Sequence, residues 1–148
     1  MNRISIILLL LSVSLPGIAQ SKKPAAKPAA KKVAPAPIQP AVIERGKAVY
    51  NTYCVACHQS DGGGVPSMNA PLVKGPHVLG AKTPLISIVL NGMQGVEING
   101  ETYSNIMPAN NFLTDQQIAD VLTYVRNNFG NKASAVTVAE VAAARNKK

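Results

Sequence analysis

Cys54-Val55-Ala56-Cys57-His58 is the stretch on which the reading of this chain turns. Cys54 and Cys57 stand three residues apart at the C-terminal end of a helical pattern, so both thiols share one face. Two thiols at that spacing can add to the two vinyl groups of a single haem. His58 then presents an imidazole nitrogen to the iron, and this is the attachment sequence for c-type haem. Other readings use the same residues. A thiol–disulfide oxidoreductase places Cys-x-x-Cys in a strand–helix unit, whereas here a helix pattern comes first. A zinc site needs four ligands, and the chain has no third cysteine and only His77 besides His58. A disulfide closed across two residues would be strained. A chance match of two cysteines and one histidine is the remaining reading.

Upstream of the motif, Val42, Gly46, Val49, Tyr50 and Tyr53 recur on one helical face, which predicts a helix over 42–53. Downstream, residues 59–76 read as loop because Gly62-Gly63-Gly64, Pro66, Pro71 and Pro76 allow little else. Thr83-Pro84 reads as N-cap and first position of a short helix ending at Asn91-Gly92. Asn99-Gly100 between Val96–Ile98 and Glu101–Tyr103 is a hairpin signal. Thr114-Asp115-Gln116-Gln117 is a capping box. The helix it opens carries Ile118, Val121, Leu122 and Val125 on one stripe and is stopped by Gly130. A further short helix is expected over 136–145.

The ends differ from the middle. The chain has 148 residues and a formal net charge of +8. Residues 41–130 carry five basic and six acidic side chains, so the excess lies outside them: Arg3, five lysines in 21–40 and a net +3 in 131–148. A nucleic-acid binder would place its basic patch on the folded part with aromatics nearby, so nucleic acid is excluded as a partner. Residues 1–19 read as a signal peptide. Arg3 is the charged region, Ile4–Leu15 the apolar region, and Gly17-Ile18-Ala19 the cleavage site. The alternative is an uncleaved leader that tethers the chain to a membrane. No apolar run reaches the roughly 18 residues of a stable span. Residues 20–40, almost only Ala, Pro and Lys, read as a disordered spacer. Residues 41–130 are then the folded domain, and 131–148 a basic tail.

With these residues in view, the chain resembles the class I cytochrome c family, of the bacterial periplasmic kind that accompanies dehydrogenases and copper-type nitrite reductases. Gly46 and Tyr50 stand eight and four residues before the first cysteine, where that family packs its first helix on its last. Val121 and Tyr124 match the facing pair, Ile106-Met107-Pro108-Ala109 looks like the loop of the distal methionine, and 113–126 resembles the last helix. The chain departs from many relatives at Phe129, where they have Trp, and at Ala70-Pro71-Leu72, where they show two prolines; either Ala70 or Pro71 would supply the carbonyl that orients the proximal imidazole. The resemblance implies an all-α cytochrome c fold, three to four short helices around one covalently bound haem c with a small β-hairpin. It covers about residues 42–130.

For the distal iron position the residues leave Met68, Met93, Met107 and His77 in competition. Met68 and His77 follow closely on His58, where the family keeps its chain on the proximal side, and Met93 at a helix end reads as packing or surface. Met107 precedes Pro108, which restrains the backbone, and it matches the family's distal ligand. The expected site is therefore Cys54 and Cys57 as thioethers, His58 as proximal and Met107 as distal iron ligand, with no catalytic residue. Both axial positions filled implies a periplasmic one-electron carrier rather than an enzyme. It would serve a dehydrogenase or respiratory complex as donor and an oxidase or reductase as acceptor. An open distal site would instead imply a small peroxidase-like enzyme or a gas sensor.

Overall fold

The structure is a computed structural model, described over residues 37–147; the expected signal peptide and most of the Lys-rich spacer lie outside the described residues. Helices are α1 (Pro40–Tyr53), α2 (Val55–His58), α3 (Pro76–Leu79), α4 (Lys82–Asn91), α5 (Asp115–Asn127) and α6 (Val138–Arg145). Two of these are single turns, so four helices of eight residues or more carry the architecture, and the fold is all-α.

The main packing interface is α1 against α5. Gly46 makes it possible: a Cβ there would lie 2.6 Å from Tyr124 Cβ and closer still to the Asp120 backbone. One helical turn on, Tyr50 is 1 % exposed and its ring meets those of Tyr124 and Phe129 at centroid separations of 5.4 and 5.3 Å. Tyr124 and Phe129 meet edge to face at 5.6 Å. Three of the chain's six aromatics thus form one cluster, each pair contributing about 0.5–1.5 kcal/mol beyond its buried area. Arg45 on α1 grips the buried Asp120 of α5 through Nε at 2.7 Å and Nη2 at 3.1 Å.

Helix α5 starts at its capping box, Thr114 Oγ1 accepting from the Gln117 N–H and Gln117 Oε1 accepting from the Thr114 N–H. Every residue from Ile118 to Arg126 is buried, more than the one stripe read from sequence. The reason is the segment after Gly130, which packs against α5. Val136 and Val141 are in the core. Thr123 Oγ1 accepts from the Val136 N–H at 2.9 Å, and Arg126 Nε donates to the Ser134 carbonyl at 2.9 Å. Lys82 pairs with Glu140 at 2.9 Å and Arg145 with Asp115 at 2.7 Å.

Local boundaries differ from the sequence reading: α1 starts two residues earlier and α6 two later than expected, the single turns α2 and α3 are additional, and three further differences have a local cause. Helix α4 begins at Lys82, with Ala81 as N-cap. Pro84 is then the third helical residue, where its missing N–H costs nothing because the first-turn N–H groups have no helical partner. Helix α5 ends at Asn127, and Phe129 and Gly130 both take positive φ (57° and 74°) beyond it. The Asn99-Gly100 hairpin shrinks to a turn closed by one bridge, Ile98 with Glu101, with φ of 56° and 83° at its centre. Two positive φ values suit the mirror-image turn that Asn-Gly favours.

Candidate haem-binding site

Helix α1 gives way at Cys54 to the single turn α2, and Cys54 together with Cys57 and His58 of α2 lines a cleft. The chain then turns at Gln59 (φ 61°), whose carbonyl accepts from the Tyr50 hydroxyl at 2.6 Å. Gly62, at φ 72°, lies under the Phe129 ring. His58 Nδ1 is 2.9 Å from the Ala70 carbonyl, which answers the choice between Ala70 and Pro71. A carbonyl only accepts, so Nδ1 carries the proton and Nε2 of the neutral ring is left with its lone pair. Burial lowers the His58 pKa, opposed by the Ala70 hydrogen bond, which favours that neutral, ligating form.

The cleft has two continuous halves that share Cys54, His58, Ala70, Met93, Ile98, Met107 and Asn110. The inner half is walled by apolar side chains, among them Leu72, Val78, Leu85, Val89, Leu122 and Val125. The outer half opens past Tyr53, Cys57, Val96, Tyr103 and Ile106. Neither lining contains an Asp, Glu, Lys or Arg. At one edge the loop after His58 is tied to the loop before Met107. Ser104 N–H donates to the Ser67 carbonyl (2.9 Å), Asn105 N–H to the Met68 carbonyl (3.1 Å), and Asn105 Nδ2 to Asn69 Oδ1 (3.1 Å). Asn105 is thus spent on holding the cleft's edge together. Of the four distal candidates, Met107 and Met93 line both halves, His77 lines only the apolar half, and Met68 lines neither and is exposed. Met93 is half-buried inside the cleft rather than at the surface, because its backbone bridges directly to that of Met107.

The donor set fits a haem. Two thiols, an imidazole with a free Nε2 and a thioether all border one cleft whose inner wall is apolar. Cys54 and Cys57 are not joined to each other by a disulfide. Burial, with the neighbouring Cys57 adding, pushes the Cys54 thiol up to about 11, the reverse of the lowered pKa that thiol–disulfide exchange uses. Among the described residues no group of three or more His, Cys, Asp or Glu side chains converges as a metal site of its own, and α1 rather than a strand precedes the motif.

The comparisons with known proteins agree. The Cytochrome c family profile matches residues 43–129. The chain is 37 % identical over 99 residues to an alcohol dehydrogenase (quinone) cytochrome c subunit of Gluconacetobacter polyoxogenes, covering 65 % of this chain and 21 % of that one. It is 37 % identical over 106 residues to a gluconate 2-dehydrogenase cytochrome c subunit of Pantoea cypripedii, covering 69 % and 24 %. It is 34 % identical over 85 residues to cytochrome c-552 of Thermus thermophilus, covering 53 % and 63 %. The chain therefore spans about a fifth to a quarter of the dehydrogenase subunits and under two thirds of the small cytochrome. With more than half of its length inside the family profile and a cleft built for one haem c, this chain belongs to the cytochrome c family.

Proposed function

We propose that the protein is a periplasmic one-electron carrier in which Cys54 and Cys57 hold haem c through thioethers, His58 is the proximal and Met107 the distal ligand. The observation that carries this reading is that His58, on α2, and Met107, on the loop between α4 and α5, border the same uncharged cleft. When bound, the haem supplies a one-electron iron couple. The chain's own part is to hold the His58 ring through Ala70, exclude water with the apolar wall, and keep the Met107 loop in place. An enzyme or sensor working on an open iron needs a vacant distal position; Met107, bordering the cleft together with His58, supports the carrier instead.

The partners proposed are a dehydrogenase or respiratory complex as donor and an oxidase or reductase as acceptor, the first suggested by the dehydrogenase subunits among the relatives. Tyr53 and Ile106 at the mouth are 46 % and 58 % exposed, and Phe112, 63 % exposed, leans on Tyr53 at 5.5 Å. Such an apolar rim suits a small, short-lived interface. No helix of the described residues is long and apolar enough to cross a membrane. The test is the visible spectrum of protein matured in a periplasm. Sharp reduced bands, a far-red thioether band when oxidised and no carbon monoxide binding are expected. A high-spin oxidised spectrum with ready carbon monoxide binding would point to the open-site enzyme or sensor instead.

A further inference from the structure

The Ala70 carbonyl that accepts the hydrogen bond from His58 Nδ1–H sits in the long loop between α2 and α3, which has no regular structure beyond one bridge, Val65 with Asn69. Something must hold that carbonyl in place. Two residues after it, Leu72 is fixed at both ends of its peptide groups: its N–H donates to the Gly62 carbonyl at 2.8 Å and its carbonyl accepts from Asn131 Nδ2 at 3.0 Å.

Asn131 does more than that one bond. Its Nδ2 also donates to the Val125 carbonyl at 2.8 Å, and its Oδ1 accepts from the Lys74 N–H at 2.8 Å. Val125 is near the end of α5, where carbonyls lack helical partners. A single side chain, 3 % exposed, thus ties the end of α5 to the loop on both sides of Val73. The turn that delivers it is closed by the Asn131 N–H on the Asn128 carbonyl at 2.9 Å. That turn also lays Phe129 over Gly62.

We propose that Asn131 is a positioning residue for the proximal imidazole. By anchoring Leu72 and Lys74 to α5 it fixes the Ala70 carbonyl, and through the His58 Nδ1–H it tunes the iron's preference between oxidation states. The inference rests on His58 being the proximal ligand. A strong hydrogen bond at Nδ1–H makes the ring a better donor and favours the ferric state; loosening it favours the ferrous state.

The experiment uses the full-length holoprotein. In Asn131→Ala and Asn131→Asp, proton NMR should show the His58 Nδ1–H exchanging about tenfold faster. The ferrous-to-ferric ratio at a fixed applied potential should rise about threefold. Val141→Ala, which opens a cavity under α6 away from the cleft, is the control. It should lower thermal stability and leave both readings unchanged. Asn131 variants that lose stability like Val141→Ala but keep the wild-type ratio and exchange rate would overturn the proposal. Should both Asn131 variants fail to hold haem, exchange in the wild type under mild denaturant decides. The Lys74 amide and the His58 Nδ1–H opening together supports the anchor, and the Lys74 amide opening well before the His58 proton overturns it. A wild-type spectrum with no paramagnetically shifted His58 ring signals would sink the ligand reading itself and this inference with it.

Discussion

Met93 and Met107 face each other across an antiparallel bridge in which each backbone N–H donates to the other's carbonyl, both at 3.0 Å. Directly opposed residues of such a pair project to the same side. That is why two thioethers border the same cleft. Met107 alone of the two also packs against the core cluster.

The bridge is made of backbone, so it survives either alanine substitution. Met107→Ala should abolish the far-red band of the oxidised protein, lower the midpoint potential and admit carbon monoxide. Met93→Ala should keep all three properties of the wild type. Reversal of these results in spectra and carbon monoxide titrations would transfer the distal role to Met93.

Gly92 ends α4 at φ 78°, and a Cβ there would lie 2.5 Å from the Met107 carbonyl. Gly92→Ala should therefore strain the backbone that carries Met107, destabilising the protein by about 1–3 kcal/mol. Carbon monoxide, which the wild type should not bind, should then bind. Thermal unfolding with unchanged midpoint would show that the loop relaxes freely around the added methyl.

Each cysteine should hold haem independently. Cys54→Ala and Cys57→Ala should each retain haem through one thioether after acid–acetone extraction, and the double variant should release it. Mass spectrometry of the intact chain reads this directly. Complete loss of haem from either single variant would contradict two separate bonds.

Glu140 links the tail to α4, and its titration gives a pH test. Burial pushes its carboxyl up, but the Thr137 N–H, Lys82 and the Thr137 hydroxyl together hold it below the ordinary carboxylate range. A depressed folded pKa means stabilisation that is present above the unfolded value, about 4.3, and lost as pH falls through the folded one. The stability advantage of the wild type over Glu140→Gln should thus be steady near neutrality and vanish in acid. A difference in Tm that stays constant with pH would remove Glu140 from this role.

Much was legible from short-range signals. The Cys-x-x-Cys-His motif, the Gly46-to-Tyr50 spacing and the Thr114 capping box are local patterns, and each depends on residues within a turn or two of one another. They were enough to place α1 and α5 and to set the cysteines at the end of α1, though not to separate the single turn α2 from it. The Asn-Gly turn was legible too, though not that it would close with a single bridge.

What the chain by itself determined is the chemistry of its donors and the helices that carry them, because thiol spacing, caps and apolar stripes act over a few residues. Tertiary structure alone decided three things. It chose Ala70 over Pro71 as the partner of His58, because the Leu72 peptide is pinned between Gly62 and Asn131. It brought Met93 beside Met107, because a backbone bridge joins segments separated by the Asn99 turn. It buried the segment after Gly130, because Thr123, Arg126 and Asp115 on α5 supply the hydrogen-bond and charge partners that Val136, Ser134 and Arg145 need. None of these contacts leaves a periodic mark in the sequence, since each joins residues that only the packing of α5 against its neighbours sets at hydrogen-bond distance.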